Sequence, residues 1–231
     1  MTALAASTRV SRLPERQRFD RAALDDVLDS AVVAHVGVVR ADGTPIVLPL
    51  LHARDGDRLL LHGSTGGGLL RAAAAGAPVA VAVTVIDGLV LARSMFDSSA
   101  NYRSAVVFGR CHPVPAERKL AALRALSDRL LPGRWDEVRM PTPKELAATL
   151  VLELPLAEAS VKVRSGPPSD HEDEADDDGS VRSEEGVRTQ WWGVVPLTTT
   201  AGAPVAAPGV ATSRLPDSVR RLLGAGAVVR Y

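Results

Sequence analysis

The spacing of apolar residues changes period several times along the chain. In "DRAALDDVLDSA", Ala23, Leu24, Val27 and Leu28 recur at helical intervals, and Asp20 stands where it can cap the first turn. Residues 1–18 are rich in Ser and Arg with no period, and read as a flexible arm. From Ala31 to Gly63 three apolar, β-rich runs follow, separated by Asp42-Gly43 and Asp55-Gly56. Connections this short join antiparallel strands. A glycine cluster then leads into a helix from about Leu69 to Ala75, and "PVAVAVTVIDGLVLARS" and "NYRSAVVFGRCHPV" read as further strands. Residues 115–131 form a helix whose Leu120, Leu123, Leu126 and Leu130 make one stripe, read as packing against the sheet and closed by Pro132-Gly133. A short helix, "PKELAATL", precedes a last strand, "VLELPLAEASVKVR". The sum, over residues 19–164, is a mainly β fold: an antiparallel β-barrel with helices packed on its outside.

After "SGPP" the apolar residues disappear. Residues 165–190, including "DHEDEADDD", cannot bury a core and read as an acidic disordered linker, with nothing to fix metal ligands in place. Residues 191–231 turn apolar again at "WWGVVPL" and "RLPDSVRRLLGAGAVV", and are expected to dock on the barrel or on a partner subunit.

Composition narrows the function. Twenty-seven basic and 27 acidic residues balance, so no global field draws the chain to nucleic acid or to acidic lipid. Cys111 is the one cysteine, which excludes an intrachain disulfide and a Cys-based zinc site and fits a reducing compartment. Charges interrupt each apolar run before about 18 residues, and the N-terminus lacks a signal-type apolar stretch. The expectation is a cytoplasmic protein with no membrane span.

The stretch "LLLHGSTGGGLL" has the strand, glycine loop and helix of a phosphate-binding loop, but Leu69 and Leu70 replace its Lys and Ser or Thr, and the setting is antiparallel. G-x-G-x-x-G is also missing. Two readings remain: a permissive turn, or an anion cradle of backbone N–H groups helped by Ser64, Thr65 and Arg71. Among the other chemically capable side chains, strand histidines such as His35 and His52 are usually packed or hydrogen-bonded. Cys111 and His112 are strand neighbours pointing to opposite faces, so they do not form a nucleophile pair. No Ser-His-Asp order stands out.

The order of "LHGS", "DGLVLARS", "NYRS", "PGRW", "VKVRSGPP" and a late "WWGVVPL" resembles the pyridoxamine 5'-phosphate oxidase-like flavoproteins, in particular the subgroup related to nitroimidazole reductases. The resemblance covers roughly residues 20–200 and implies a split β-barrel homodimer that binds flavin mononucleotide (FMN) at the subunit interface. It puts the backbone of Val47, Leu48 and Pro49 along the flavin ring. His62, Ser64, Thr65 and Arg71 would face the phosphate, and Tyr102, Arg103 and Ser104 would meet the flavin from a neighbouring strand. Lys162, Arg164 and Trp191 extend this set, and His52 and Trp192 would line the substrate pocket. Two positions depart from the subgroup: Gly67-Gly68 replaces a basic pair, and Asp97 and Ser98 stand where relatives often carry histidine.

On this reading the protein is an FMN-dependent oxidoreductase of reductase type acting on a small molecule, with the chemistry carried by the cofactor and no catalytic side chain. Two alternatives stand beside it. One is a non-catalytic split barrel without flavin, which Gly67-Gly68 favours. The other is a haem enzyme or carrier, with His35, His52, His62 or His112 as axial ligand.

Overall fold

A computed structural model describes residues 8–169, 191–210 and 215–224. Most of the expected acidic linker, residues 170–190, lies outside the described residues, as do residues 1–7 of the arm and 211–214 and 225–231 of the C-terminal segment.

Alternation of apolar and polar side chains builds an antiparallel sheet that curls on itself. Its strands are β1 (Gln17–Arg18), β2 (Val33–Val39), β3 (Pro45–Asp55), β4 (Arg58–Ser64), β5 (Pro78–Leu91), β6 (Ser99–Arg110), β7 (His112–Pro113), β8 (Thr149–Pro155), β9 (Ala159–Arg164) and β10 (Gly193–Pro196). The order across the sheet is β1-β9-β6-β5-β2-β3-β4-β8-β7, with β10 pairing along β5. Gly43 and Gly56 take positive φ in the two hairpin turns, as Asp-Gly turns require. β3 is the corner strand: its first half pairs with β2 and its second half with β4.

The helices are α1 (Arg21–Ser30), α2 (Gly68–Ala74), α3 (Ala116–Leu130), α4 (Pro143–Ala148) and α5 (Asp217–Gly224). Asp20 caps α1 by accepting from the Ala23 N–H at 2.8 Å. Leu24, Val27 and Leu28 of α1 and Leu69, Leu70 and Ala73 of α2 join Val36, Leu59, Leu61, Val81 and Leu152 in the main core. A second, outer cluster places Ala122 and Leu126 of α3 against Ala53, Leu60 and Val151. Neighbours on β4 therefore serve opposite layers, Leu59 and Leu61 inward and Leu60 outward, which is the strand period at work. None of the described helices is long and apolar enough to cross a membrane.

Three expectations are corrected. The arm is not loose throughout, because Gln17 and Arg18 pair with Lys162 and Val161. The run read as one last strand is two, β8 on β4 and β9 on β6, with a turn between them. The leucine stripe of α3 is not all core: Leu120 and Leu130 are exposed, and Leu123, Leu126 and Leu130 instead wall a cavity.

Candidate functional site

That cavity, about 580 Å³, lies between the outer face of β3 and β4, α3, the short 3-10 helix Arg134–Glu137 and α4. Leu51, Leu123, Leu126, Leu130, Trp135 and Val138 give it apolar walls. His62 opens into it from β4, two residues after the outward Leu60. Burial holds the His62 imidazole below the ordinary histidine pKa, and its Nδ1 is buried with no hydrogen-bond partner. A ring that stays neutral beside an apolar chamber keeps a lone pair that could ligate a metal or accept from a ligand.

Arg139 and Glu145 supply the polar edge. The guanidinium donates to both carboxylate oxygens, at 2.6 and 2.8 Å, and this pairing, followed by bonds from Thr142, lowers the Glu145 pKa to about 2. Glu145 also completes a capping box with Thr142, which fixes the start of α4. The Thr-x-x-Glu spacing was legible in the sequence, but Trp135, Val138 and Arg139 carry no local signal that they share a chamber with His62.

A second cavity, about 550 Å³, lies on the outer face of β2 and β5, bounded by Ser30, Val33, His35, Thr84, Ile86 and residues 197–199 after β10. Strand register places several expected flavin contacts on this same face. Pro49 lies opposite His35, Val47 opposite Gly37, Ser104 opposite Thr84, Tyr102 opposite Ile86, and Lys162 opposite Ser104. Leu48 lies opposite the core residue Val36, so its side chain belongs to the other face. Trp192, just before β10, stacks on Arg93 with 4.9 Å to its ring centroid, while Trp191 is exposed.

Several expected site residues are committed elsewhere. Arg103 projects toward α1, donating to Asp87 at 3.0 and 2.8 Å, to Asp26 at 2.6 Å and to Ser30 at 2.8 Å. Those carboxylates raise its pKa and use its guanidinium as a brace. His52 is 2% exposed, and its ring bonds to the Leu28 carbonyl, so it lines no pocket and is not available as an axial ligand. His112 is exposed on β7, opposite Glu153. Cys111 is buried, and burial pushes its thiol up to about 11, away from reactivity at neutral pH. Arg164 is buried on Asn101 and the Gly166 carbonyl.

Three N–H groups of the glycine loop are used inside the fold. The Thr65 N–H donates to the Ala148 carbonyl, Gly66 N–H to Ser64 Oγ and Gly67 N–H to the Ser64 carbonyl, so these donors are satisfied inside the fold. Its first glycine has a packing reason instead: a Cβ on Gly63 would stand 2.5 Å from Leu70 Cδ1. Arg71 is exposed on α2, while His62, expected to share the phosphate, faces the α3 cavity.

Comparison with known proteins agrees with this architecture. Residues 20–163 match the family model described as pyridoxamine 5'-phosphate oxidase. No curated protein matches the chain. A FAD- and haem-binding protein from Mycobacterium smegmatis is 46% identical over 90% of this chain and 97% of its own, with a TM-score of 0.80. The flavocytochrome Anf3 from Azotobacter vinelandii is 34% identical over 95% and 97%, with a TM-score of 0.82. Likeness to a candidate 5-nitroimidazole antibiotic resistance protein from Bacteroides thetaiotaomicron, 19% identical with a TM-score of 0.53, extends to the fold alone. Family model, sheet order and close relatives together establish that the chain belongs to the pyridoxamine 5'-phosphate oxidase family of split-barrel proteins.

Proposed function

We propose that this protein is a flavin- and haem-dependent oxidoreductase, with haem in the α3 cavity on His62 and flavin on the outer face of β2, β5 and β6. The observation that carries the reading is that the half-buried imidazole of His62, kept neutral by its surroundings, lines an apolar chamber of about 580 Å³. Such a volume is within the range of small-molecule and cofactor sites, about 300–1,000 Å³. Burial keeps the ring neutral, the form whose lone pair ligates iron. The apolar walls suit a macrocycle, and Arg139, paired with Glu145, forms the polar edge beside them. The relative that is 46% identical binds both FAD and haem, which favours FAD over FMN as the flavin and raises the haem reading above the flavin-only one.

When bound, these groups supply one-electron and hydride chemistry. The chain's own part is to hold and shield them. Leu123, Leu126 and Trp135 give the cavity its apolar lining, and His62 would orient its occupant. Tyr102 lies on the outer face, beside Ser104 and Lys162, whose side chains donate to the Lys162 and Arg12 carbonyls. Val39, Val47 and Ile86 leave that side of the sheet apolar and exposed, which supports a homodimer that covers it. A small-molecule substrate would enter beside Trp192, in a cytoplasmic setting.

Titration of the purified protein with hemin and with FAD, followed by visible absorption, tests the reading. A Soret band and a flavin envelope, each saturating near one equivalent per chain, are expected. A chain that takes up FAD and never hemin would reduce the account to a flavoprotein.

A further inference from the structure

The cavity has one wall whose placement depends on a distant part of the chain. Residues 132–138 link α3 to the segment before α4, and Trp135 and Val138 of this link face the cavity. Its other side carries α5. The Glu137 carboxylate accepts from the Ser218 backbone N–H at 2.9 Å and from the Ser218 hydroxyl at 2.5 Å, across 81 residues of sequence. Ser218 is 1% exposed, while the Glu137 side chain keeps 22% of its surface open to solvent. A carboxylate at the first turn of a helix also meets the positive end of its dipole. One turn further on, Arg221 donates to the Pro132 carbonyl at 3.4 Å. Its guanidinium lies over Gly133, close to where a Cβ would stand, and as the end of a flexible side chain it could swing aside. Gly133 also holds φ +83, a conformation that other side chains rarely adopt. Ser218 and Arg221, three apart, lie on one face of α5 and grip the two ends of the link.

We propose that α5 is a clasp on the cavity wall: Ser218 on Glu137, with Arg221 over Gly133, fixes Trp135 and Val138 and thereby sets how long the cavity keeps its occupant. Ser218 is then a positioning residue for the site described above. The identity of the occupant rests on the haem reading, but the clasp itself does not.

The test uses the full chain and two probes. Hemin-loaded protein is chased with excess apomyoglobin and the Soret change is followed. Separately, release of the apolar dye 1-anilinonaphthalene-8-sulfonate from hemin-free protein is followed by stopped-flow dilution. Ser218→Ala, which removes the hydroxyl bond and keeps the backbone one, is expected to speed release of both probes about tenfold, the scale of losing one hydrogen bond to a charged group, with the Soret position unchanged. Ser218→Thr, which keeps the hydroxyl and the N–H, should restore much of the retention. Arg221→Ala, an exposed change that leaves the Ser218 bonds in place, should speed release about two- to threefold, since it removes the longer contact. Release rates of both probes within twofold of wild type for Ser218→Ala would overturn the clasp. Faster dye release in a protein that never binds hemin would support the clasp and contradict the haem reading.

Discussion

The ring of His52 bonds to the carbonyl oxygen of Leu28 at 3.0 Å, tying the end of α1 to the corner strand β3. Because a carbonyl only accepts, Nε2 carries the proton and Nδ1 is left as a buried acceptor without a partner. His52 is thus part of the core, and its neighbour across the ladder is the core residue Leu61. Replacing it with Ala removes a buried hydrogen bond and leaves a void. The expected loss is about 2–4 kcal/mol, seen as a lower urea midpoint with an unchanged m-value.

Burial lowers the pKa of both His52 and His62 below the ordinary value near 6.5. In the unfolded chain these rings take up a proton near that pH, whereas in the fold they resist it. The unfolded state therefore binds more protons below about pH 6.5, and stability falls as the pH drops from there. Chemical denaturation at steps between pH 7.5 and 5 should show that decline. His52→Gln, with one titrating ring fewer, should flatten it.

Arg103 reaches Asp87 and Asp26 with its guanidinium and so braces α1 against β6 and the irregularity of β5 at Asp87. Arg103→Ala is expected to cost about 1–2 kcal/mol of stability, since the pairs are partly open to solvent and are worth less than buried ones. FAD affinity should change less than twofold, measured by fluorescence quenching on protein held well below its unfolding midpoint.

Gly63 faces Leu70, which is buried in the main core. A methyl group there must displace a packed side chain, and overpacking of this kind costs about 1–3 kcal/mol. Gly63→Ala should lower the thermal midpoint. Gly68→Ala, with open space around the added Cβ, should not lower it.

The sequence showed the elements more plainly than their partners. Asp20 and the spacing from Ala23 to Leu28 announced α1, and the Asp-Gly turns announced the hairpins, because capping and turn chemistry are local. The stretch from Val151 to Val163 hid a change of strand, because β8 and β9 both read as β-rich and only their pairing, on β4 and on β6, separates them. His52 and His62 looked alike as strand histidines. What separates them is which face of the strand each occupies: His52 lies opposite Leu61 in the core, and His62 lies opposite Val151 in the outer cluster. The leucine stripe on α3 likewise announced a buried face without saying that part of it borders a void.

The central claim is that His62 holds a haem in the α3 cavity. Hemin titration of His62→Ala beside wild type, with His35→Ala and His112→Ala as controls, tests it most directly. The account predicts that only His62→Ala loses the Soret band of the ligated haem, or weakens hemin binding at least tenfold, while FAD binding persists in His62→Ala and His112→Ala. A His62→Ala protein with the wild-type Soret band and affinity would contradict it.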